Sequence, residues 1–375
     1  MRLTLATHRL GRGGSESYLI SLASELQRLG HPVAVTAVED GPGAERARTL
    51  GISVDVGEQQ PAHRADGIVV QDIGLAYALA ERHPAIPQVF VAHSELFDAQ
   101  LPPQMPGICT AVVVMSERVE RRVRALANAP PIVRLRQPID TERFAARETI
   151  RERPRRAVVL SNYLYGERLA LLRAAWEPEG VELIPIGVEA SPSDEPELLI
   201  GDADVVVGKG RAVLEGMSCG RAAYLFDMAG YDGWVTPAIY SSLEADGFAG
   251  QATGRAATVN AMRADIADYK PQMGAANRDL VTANHSLRRH AEQLVEMLAG
   301  AGAGPATARL DELERVVRSG WRLEDRASGL GRENDRLHAR ILELEREAEE
   351  LKRTRRYRLA AAIGRPLDAL RRSRR

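Results

Sequence analysis

Residues 208–221 read GKGRAVLEGMSCGR and follow an apolar run at 205–207, so a predicted strand passes through a glycine turn into a predicted helix. Backbone N–H groups at a helix start attract anions, and glycines let a ligand approach the backbone closely. Lys209 and Arg211 add positive charge, and Glu215 lies about one helical turn into the helix, where it could accept hydrogen bonds from sugar hydroxyls. The stretch indicates a nucleotide-diphosphate site; the alternative is a plain strand–glycine–helix connection with solvated basic residues. The candidate site residues of this stretch are Gly208, Lys209, Gly210, Arg211 and Glu215.

The chain has 375 residues, of which 45% are hydrophobic, enough for two domains and an appendage. Its formal net charge is −1, yet residues 305–375 carry 19 basic and 13 acidic side chains. This part is therefore net positive, whereas the rest of the chain is net negative. Cys109 and Cys219 follow no metal or disulfide spacing, which suits a reducing compartment. No signal-peptide core and no run of ~18 apolar residues is present. We therefore expect a cytoplasmic protein.

Short apolar runs bounded by turn residues recur along the chain, and helical patterns lie between many of them. The runs predict strands at 3–6, 33–37, 68–70, 89–91, 111–115, 157–160, 183–186, 205–207 and 222–226. Apolar spacing predicts a helix over 15–29, and Ser116 is the predicted N-cap of a helix that extends to Ala127. Strands that alternate with helices imply parallel sheets covered on both faces. The pattern pauses at 138–154, where we place a linker between two doubly wound halves, 1–137 and 155–285.

Polar or glycine-rich segments follow several of the predicted strands. In such sheets, ligands bind beyond the carboxyl ends of the strands, so one cleft between the halves would collect these segments. They are residues 11–16, 93–95, Asn162, Lys209 and 227–232.

Five segments in combination resemble glycosyltransferase family 4 over roughly residues 1–300. They are 11–16 (GRGGSE), His93 at a strand end, 114–117 (VMSE), 138–144 (PIDTERF) and 214–221 (LEGMSCGR). The resemblance implies the GT-B fold, in which two Rossmann-like domains face a cleft. It also implies an acceptor mainly on the first domain, a nucleotide-sugar donor on the second, metal-independent chemistry with retention, and a last helix that crosses back to the first domain. Residues 285–298 are the candidate for that helix, within a return segment and spacer at 286–304.

The resemblance also assigns individual residues. Gly13 and Gly14 would lie near the donor phosphates and the acceptor, His93 near the transferred sugar, and Glu215 on the ribose hydroxyls. Asn162 joins them as a predicted donor-binding residue because it follows a strand. The alternatives are a strand-end histidine satisfied by backbone groups for His93, and a helix-face carboxylate paired with an arginine for Glu215.

Two departures from the family pattern stand out. Members usually carry a glutamate eight positions before the one that matches Glu215, and Val207 stands there. The usual arginine and lysine that neutralise the diphosphate are not evident at 161–166. Lys209 and Arg211 could take over that charge, since a leaving diphosphate needs positive groups or N–H donors; we therefore predict that both act in catalysis.

Two further acidic motifs lead to different predictions, one against a metal site and one for a sugar site. Asp202 and Asp204 form an Asp-x-Asp pair, but they precede their strand and so lie at the wrong end of the sheet for a metal in the cleft. Asp232 follows a strand and could accept from sugar hydroxyls, while Trp234 could stack on a ring. The alternative is a turn whose tryptophan packs into the core.

From Val316 the apolar positions follow a heptad register, with leucines at 323, 330, 337, 344 and 351 and a single Asn334 at an a position. This pattern over 305–353 predicts a parallel dimeric coiled coil, in which Arg340 and Lys352 would attract acidic residues of a second copy. The alternative is a helix packed on its own body.

Residues 353–375 contain nine arginines and one acidic residue with a rough amphipathic pattern. The tail at 354–375 could rest on an anionic membrane surface, which would place the protein at the inner face of the membrane, or it could be solvated. Nucleic acid is disfavoured because no aromatic platform accompanies the charge.

The resulting hypothesis is a GT-B glycosyltransferase that moves a sugar from a UDP- or GDP-linked donor to a glycan or lipid-linked acceptor for surface polysaccharide or glycolipid assembly. No other cofactor is expected. A nucleotide-sugar epimerase or hydrolase is one alternative. A non-catalytic partner that keeps the cleft is another, and the absence of a glutamate at Val207 favours it.

Overall fold

The computed structural model describes residues 1–57, 65–95, 97–146, 150–187, 193, 195–301, 311–354 and 356, and it contains two Rossmann-like domains followed by a long helix. This architecture confirms the predicted fold class. The first sheet is parallel, with the strand order β3-β2-β1-β4-β5-β6-β7. Its strands are β1 (Leu3–Arg9), β2 (Val33–Glu39), β3 (Ser53–Val56), β4 (Gly67–Val70), β5 (Gln88–Ala92), β6 (Ala111–Val114) and β7 (Ile132–Arg134). Its helices are α1 (Gly14–Arg28), α2 (Pro42–Thr49), α3 (Ile73–Arg82) and α4 (Glu117–Arg124).

The second sheet has the order β12-β11-β10-β8-β9, and only the β11–β12 pair is antiparallel. Its strands are β8 (Arg156–Leu160), β9 (Glu182–Ile186), β10 (Val205–Gly208), β11 (Ala222–Asp227) and β12 (Gly230–Trp234). The helices of this part are α5 (Gly166–Trp176), α6 (Pro196–Gly201), α7 (Arg211–Ser218), α8 (Tyr240–Ala245), α9 (Val259–Ala267), α10 (Gln272–Asn284) and α11 (Leu287–Ala299). Short 3₁₀ turns occur at Asp98–Gln100 and Glu177–Glu179.

All nine apolar runs form strands; eight of these strands are largely buried, as parallel strands covered by helices are, and the edge strand β9 is partly exposed. Ser116 caps α4 as expected, accepting a hydrogen bond from the Val119 N–H at 3.3 Å. Three strands, β3, β7 and β12, were not predicted from the sequence.

Helix α11 returns to the first domain. It begins after Ser286, whose hydroxyl accepts from the Arg289 N–H at 3.2 Å. Ala291, Leu294 and Leu298 then enter the core beside α1. The helix thus lies where the return helix is expected, with its own side chains completing the first domain.

The predicted linker is partly built into the second domain. Phe144 is fully buried in that domain's core, and an Asp140 carboxylate oxygen accepts from two backbone N–H groups, those of Glu142 and Arg143. Residues 147–149 lie outside the described part of the chain.

Helix α12 (Asp311–Arg353) packs against both domains. Near its start, Val317 and Arg318 lie beside Gly74 of α3, and further along Ala339 lies against Gly166 at the start of α5. In the predicted heptad register Arg318 and Ala339 occupy f positions, which lie opposite the a/d seam. The seam leucines at 323, 330, 337, 344 and 351 are 45–66% exposed. Docking and the predicted coiled-coil contact therefore use different faces of one helix.

Apart from Thr354 and Arg356, the predicted basic tail lies outside the described residues. Among the helices that the structure describes, none combines the length and the hydrophobicity needed to cross a bilayer.

Gly216 of α7 sets the distance between this helix and β10. A Cβ at this position would lie 2.5 Å from the Cβ of Val206, which is fully buried. Gly216→Ala should lower the free energy of unfolding by about 1–3 kcal/mol, because the packed strand cannot move aside. Urea denaturation measures this change. The control is Gly331→Ala in α12, where an added Cβ meets no described atom within 4 Å and should stabilise the helix by about 1 kcal/mol; equal losses in both variants would contradict the packing argument.

Candidate active site

The carboxyl ends of β1, β4 and β5 face those of β8, β10 and β11 across a cleft between the domains. Contacts cross it at two places. The side-chain amide of Asn162, after β8, donates to the Arg12 carbonyl at 3.5 Å. The guanidinium of Arg211, at the start of α7, donates to the Ser21 hydroxyl of α1 at 3.4 Å. The segment after β8 therefore contacts the glycine segment before α1, and the start of α7 contacts α1 two turns further along.

Gly13 and Gly14 lie at the first turn of α1. Gly13 is the N-cap residue and supplies no capping side chain. A Cβ on Gly13 would lie 2.3 Å from Oε2 of Glu16, and one on Gly14 would meet no described atom within 4 Å. Gly14 is therefore open, whereas the Glu16 carboxylate lies beside Gly13 and would have to move for an anion to bind there. Binding of donor phosphates here stays a prediction.

His93 follows β5 directly, and the side chain of Gln71 holds its ring. Nε2 lies 2.7 Å from Oε1 of Gln71, and because an amide oxygen only accepts, Nε2 carries the proton. The Gln71 amide nitrogen in turn donates to Oγ1 of Thr7 at 3.0 Å. Burial, followed by the charge of Arg211, lowers the pKa of His93 to about 3. His93 is therefore a neutral, oriented imidazole at working pH, able to hydrogen-bond a sugar.

Lys209 leaves β10 through two glycines. A Cβ on Gly208 would lie 2.7 Å from the Leu160 carbonyl oxygen, and Gly210 has a φ of +54°, which only glycine adopts readily. The ammonium group of Lys209 lies 3.5 Å from Oδ1 of Asp227 and 4.7 Å from the ring centre of Tyr163.

These contacts position the charge of Lys209 without burying it. Its side chain is 32% exposed, whereas Asp227 is 1% exposed and also accepts from the Ser161 hydroxyl at 2.6 Å. A fixed, solvent-accessible cation at a strand end is suited to a diphosphate.

Arg211 and Glu215 bind each other. Nε of Arg211 donates to Oε1 of Glu215 at 2.8 Å, and its other nitrogens reach the Pro138 carbonyl at 3.1 Å and Ser21. The two side chains are only 8% and 10% exposed. This is the arrangement given above as the alternative for Glu215. Diphosphate binding by Arg211 and ribose binding by Glu215 stay predictions, and both require ligand to compete with this pair.

Asp232 is not part of the cluster. It lies inside β12, and its two carboxylate oxygens accept from the backbone N–H groups of Ala252 and Thr253 at 3.1 and 2.7 Å. Trp234 is also committed to the protein, since Nε1 donates to the Asp265 carbonyl and the indole stacks on Trp176. The interpretation of this segment as a sugar-binding loop is therefore corrected to a structural hairpin.

Two other residues singled out in the sequence lie outside the cluster of polar side chains. Asp204 accepts from the backbone N–H groups of Arg151, Arg155 and Arg156 at the opposite end of its sheet. Val207, where the family pattern has a glutamate, is fully buried in the core of the second domain.

Gln71, Tyr163 and Asp227 complete the cluster, and sequence reasoning gave none of them an individual role. Gln71 and Asp227 stand at the ends of β4 and β11, so the strand-end rule that selected His93 and Lys209 applies to them equally. Tyr163 follows Asn162, and nothing in the sequence separates its role from that of its neighbours.

The fold is similar to that of several solved glycosyltransferases. Anabaena HepE in complex with UDP and glucose aligns with 80% of this chain and 100% of its own, at 15% identity and a TM-score of 0.58. A glycosyltransferase from Rickettsia africae covers 80% of this chain and 99% of its own, with 14% identity and a TM-score of 0.53. Sucrose-phosphate synthase from Thermosynechococcus elongatus covers 80% and 98%, with 12% identity and a TM-score of 0.54.

No family model and no curated protein sequence matches the chain. At these identities the structural similarity establishes the fold alone. The two parallel-sheet domains, the intervening cleft and the terminal helix correspond to the GT-B fold.

Proposed function

We propose that this chain is a retaining glycosyltransferase of the family 4 type, which transfers a sugar from a UDP- or GDP-linked donor to a glycan or lipid-linked acceptor. The observation that carries the proposal is the position of Lys209, a partly exposed cation held at a glycine turn, across the cleft from the glycine start of α1. Anabaena HepE, which shares the fold, has been solved with UDP-glucose. A role in surface polysaccharide or glycolipid assembly follows from the acceptor class that we propose.

In this proposal the second domain holds the nucleotide diphosphate and the first holds the acceptor. Lys209 and the N–H groups of the α1 start stabilise the charge that develops on the leaving diphosphate as its bond to the sugar breaks. The unprotonated Nδ1 of His93 accepts a hydrogen bond from a hydroxyl of the transferred sugar. Glu215 binds the ribose after release from Arg211.

Calorimetry with UDP, UMP, GDP and GMP tests the proposal directly. We expect one of the two diphosphates to bind at least tenfold more tightly than its monophosphate, because the predicted contacts are made to the diphosphate. Failure of both diphosphates to bind would refute the proposal.

A non-catalytic partner is the second candidate, and two observations favour it. Val207 is buried where the family pattern has a glutamate, and Arg211 and Glu215 already satisfy each other. Diphosphate binding without release of UDP or GDP from any donor, with varied acceptors present, would favour this candidate. Product that forms without acceptor would instead favour a hydrolase or epimerase.

We also propose that α12 forms a parallel homodimer through its exposed seam. Leu337→Glu combined with Leu344→Glu should convert the dimer to a monomer, because two charges would enter the apolar contact. Sedimentation equilibrium of the full chain measures this. Leu342→Glu is the matched control, since Leu342 is 45% exposed on the same helix at a b position outside the seam. A wild-type monomer at micromolar concentration, or dissociation caused by the control, would contradict the seam.

A further inference from the structure

The two domains are also joined by Arg118, which lies in the first turn of α4. Its Nη1 donates to Oδ1 of Asp246 at 3.2 Å and to Oε1 of Gln251 at 2.8 Å, and both acceptors belong to the second domain. Its Nη2 donates to the Glu95 carboxylate of the first domain. The side chains of Arg118 and Asp246 are only 19% and 9% exposed. One largely shielded guanidinium therefore holds acceptors from both domains.

The first-domain end of this bridge lies next to His93. Glu95 is two residues after His93, in the segment that follows β5. β6 pairs in parallel with β5, so the start of α4 reaches the same edge of the sheet as that segment. The ion pair from Arg118 thus holds the segment that carries the oriented imidazole.

The second-domain end of the bridge is a tight loop at residues 246–251. Oδ2 of Asp246, the oxygen that Arg118 does not use, accepts from the backbone N–H groups of Ala249 and Gln251 at 3.2 and 3.0 Å. Arg118 binds the other carboxylate oxygen and the Gln251 side chain. The arginine therefore contacts the two residues at which this loop is closed.

The same loop supports the turn that carries Lys209. The Phe248 carbonyl accepts a hydrogen bond from the Gly210 N–H at 2.8 Å. Phe248 has a φ of +55°, a backbone conformation that a non-glycine residue keeps only where its surroundings hold it. A loosened loop would therefore release the residue that follows Lys209.

We propose that Arg118 is a positioning residue that couples the His93 segment of the first domain to the Lys209 turn of the second. It acts through Glu95 and Asp246 and not on the substrate. The inference rests on the proposed function, in which His93 binds the transferred sugar and Lys209 the leaving diphosphate. Transfer needs these two groups at a fixed separation, and a misplacement of about 1 Å can lower a rate about 100-fold.

Steady-state kinetics of Arg118→Met and Arg118→Lys test this role. We expect both variants to lower kcat about 10- to 100-fold, because a methionine carries no charge and a lysine lacks the two separate nitrogens that reach the two domains. The donor KM should change less than about threefold, because the proposed ribose contact does not involve the bridge. Full activity of Arg118→Lys would overturn the inference, since charge alone would then suffice.

Arg134→Met is the matched control. Arg134 also joins the domains, since it donates to the Glu244 carboxylate at 2.7 Å and pairs with Glu117 at 3.5 Å. Neither partner belongs to the segments at 93–95 and 246–251. Its loss should lower stability and leave kcat within about twofold of wild type. An equal loss of kcat in both methionine variants would overturn the inference, because any contact between the domains would then have the same effect.

Hydrogen–deuterium exchange supplies a readout that needs no turnover. In Arg118→Met, peptides that contain residues 93–95 and 208–212 should both exchange at least about threefold faster than in wild type, because both segments lose support. Arg134→Met should leave both unaltered. Faster exchange at only one segment, or at neither, would overturn the coupling.

Calorimetry with UDP and GDP keeps the two hypotheses apart. Failure of wild type to bind either diphosphate would refute the proposed function, and the exchange data would still decide whether the two segments are coupled. Normal diphosphate binding with faster exchange at both segments, but with an unaltered kcat, would overturn the positioning role and leave the proposed function standing.

Discussion

Lys209→Ala should lower the turnover of sugar transfer about 100- to 1,000-fold while the protein stays folded. The lysine is the positive side chain nearest the glycine turn that remains partly exposed, whereas Arg211 is committed to Glu215. The substitution removes a fixed positive charge that would stabilise the negative charge developing on the leaving diphosphate. Asp227 still accepts a hydrogen bond from the Ser161 hydroxyl, which keeps the local fold in place.

The measurement is nucleotide release under saturating donor and acceptor, with a thermal melt as the folding check. Lys270→Ala is the matched control, because the chain has only three lysines and Lys270 is exposed. An unaltered rate for Lys209→Ala would remove this residue from the mechanism. A large loss in the control would point to a general effect of charge.

Arg211→Met should lower the free energy of unfolding by about 3–5 kcal/mol. The substitution leaves Glu215 buried without its cation and removes the contacts to Pro138 and Ser21, which join the domains. The double variant Arg211→Met/Glu215→Leu should recover much of this loss, because no uncompensated charge remains. Urea denaturation of the single and double variants yields the coupling energy.

Arg288→Met provides the comparison for the ion pair. Arg288 and Glu292 are also spaced i,i+4, but they are 69% and 51% exposed, so the change should stay below about 0.5 kcal/mol. Equal losses of unfolding free energy in Arg211→Met and Arg288→Met would show that burial does not determine the strength of the ion pair. A double variant no more stable than Arg211→Met would show that the domain contacts, and not the buried charge, carry the effect.

The apolar runs predicted every interior strand and the edge strand β9, whereas the other three edge strands, β3, β7 and β12, were missed. Eight of the nine apolar runs could be recognised because both faces of their strands are largely covered, and the ninth, in β9, because its residues Leu183, Ile184 and Ile186 pack against the cores. β3 is polar and half exposed, and β7 is only three residues long, so neither leaves a hydrophobic signal. β12 contains two glycines and an aspartate, a composition typical of a turn; its antiparallel pairing with β11 makes it a strand.

The direction of the strands explains which site residues could be predicted. His93 and Lys209 follow parallel strands, where order along the chain fixes which edge they reach. Asp232 was predicted wrongly because the strand-end rule assumes that a ligand-binding loop follows β11. The chain instead turns back there and forms the hairpin strand β12. Arg211 and Glu215 lie four residues apart in a helix, and spacing alone does not distinguish two groups that face a ligand from two that face each other. The heptad pattern of α12 likewise reveals its exposed seam but not its docked face.

The placement of α12 across both domains has a kinetic consequence. The helix is about 65 Å long and contacts the first domain near Trp321 and the second near Ala339. A hinge rotation that widens the cleft must therefore break one of these attachments. In an enzyme whose spent nucleotide departs only after the halves separate, the strength of the weaker attachment would set the rate of departure, so substitutions in α12 that touch no substrate could change the overall rate.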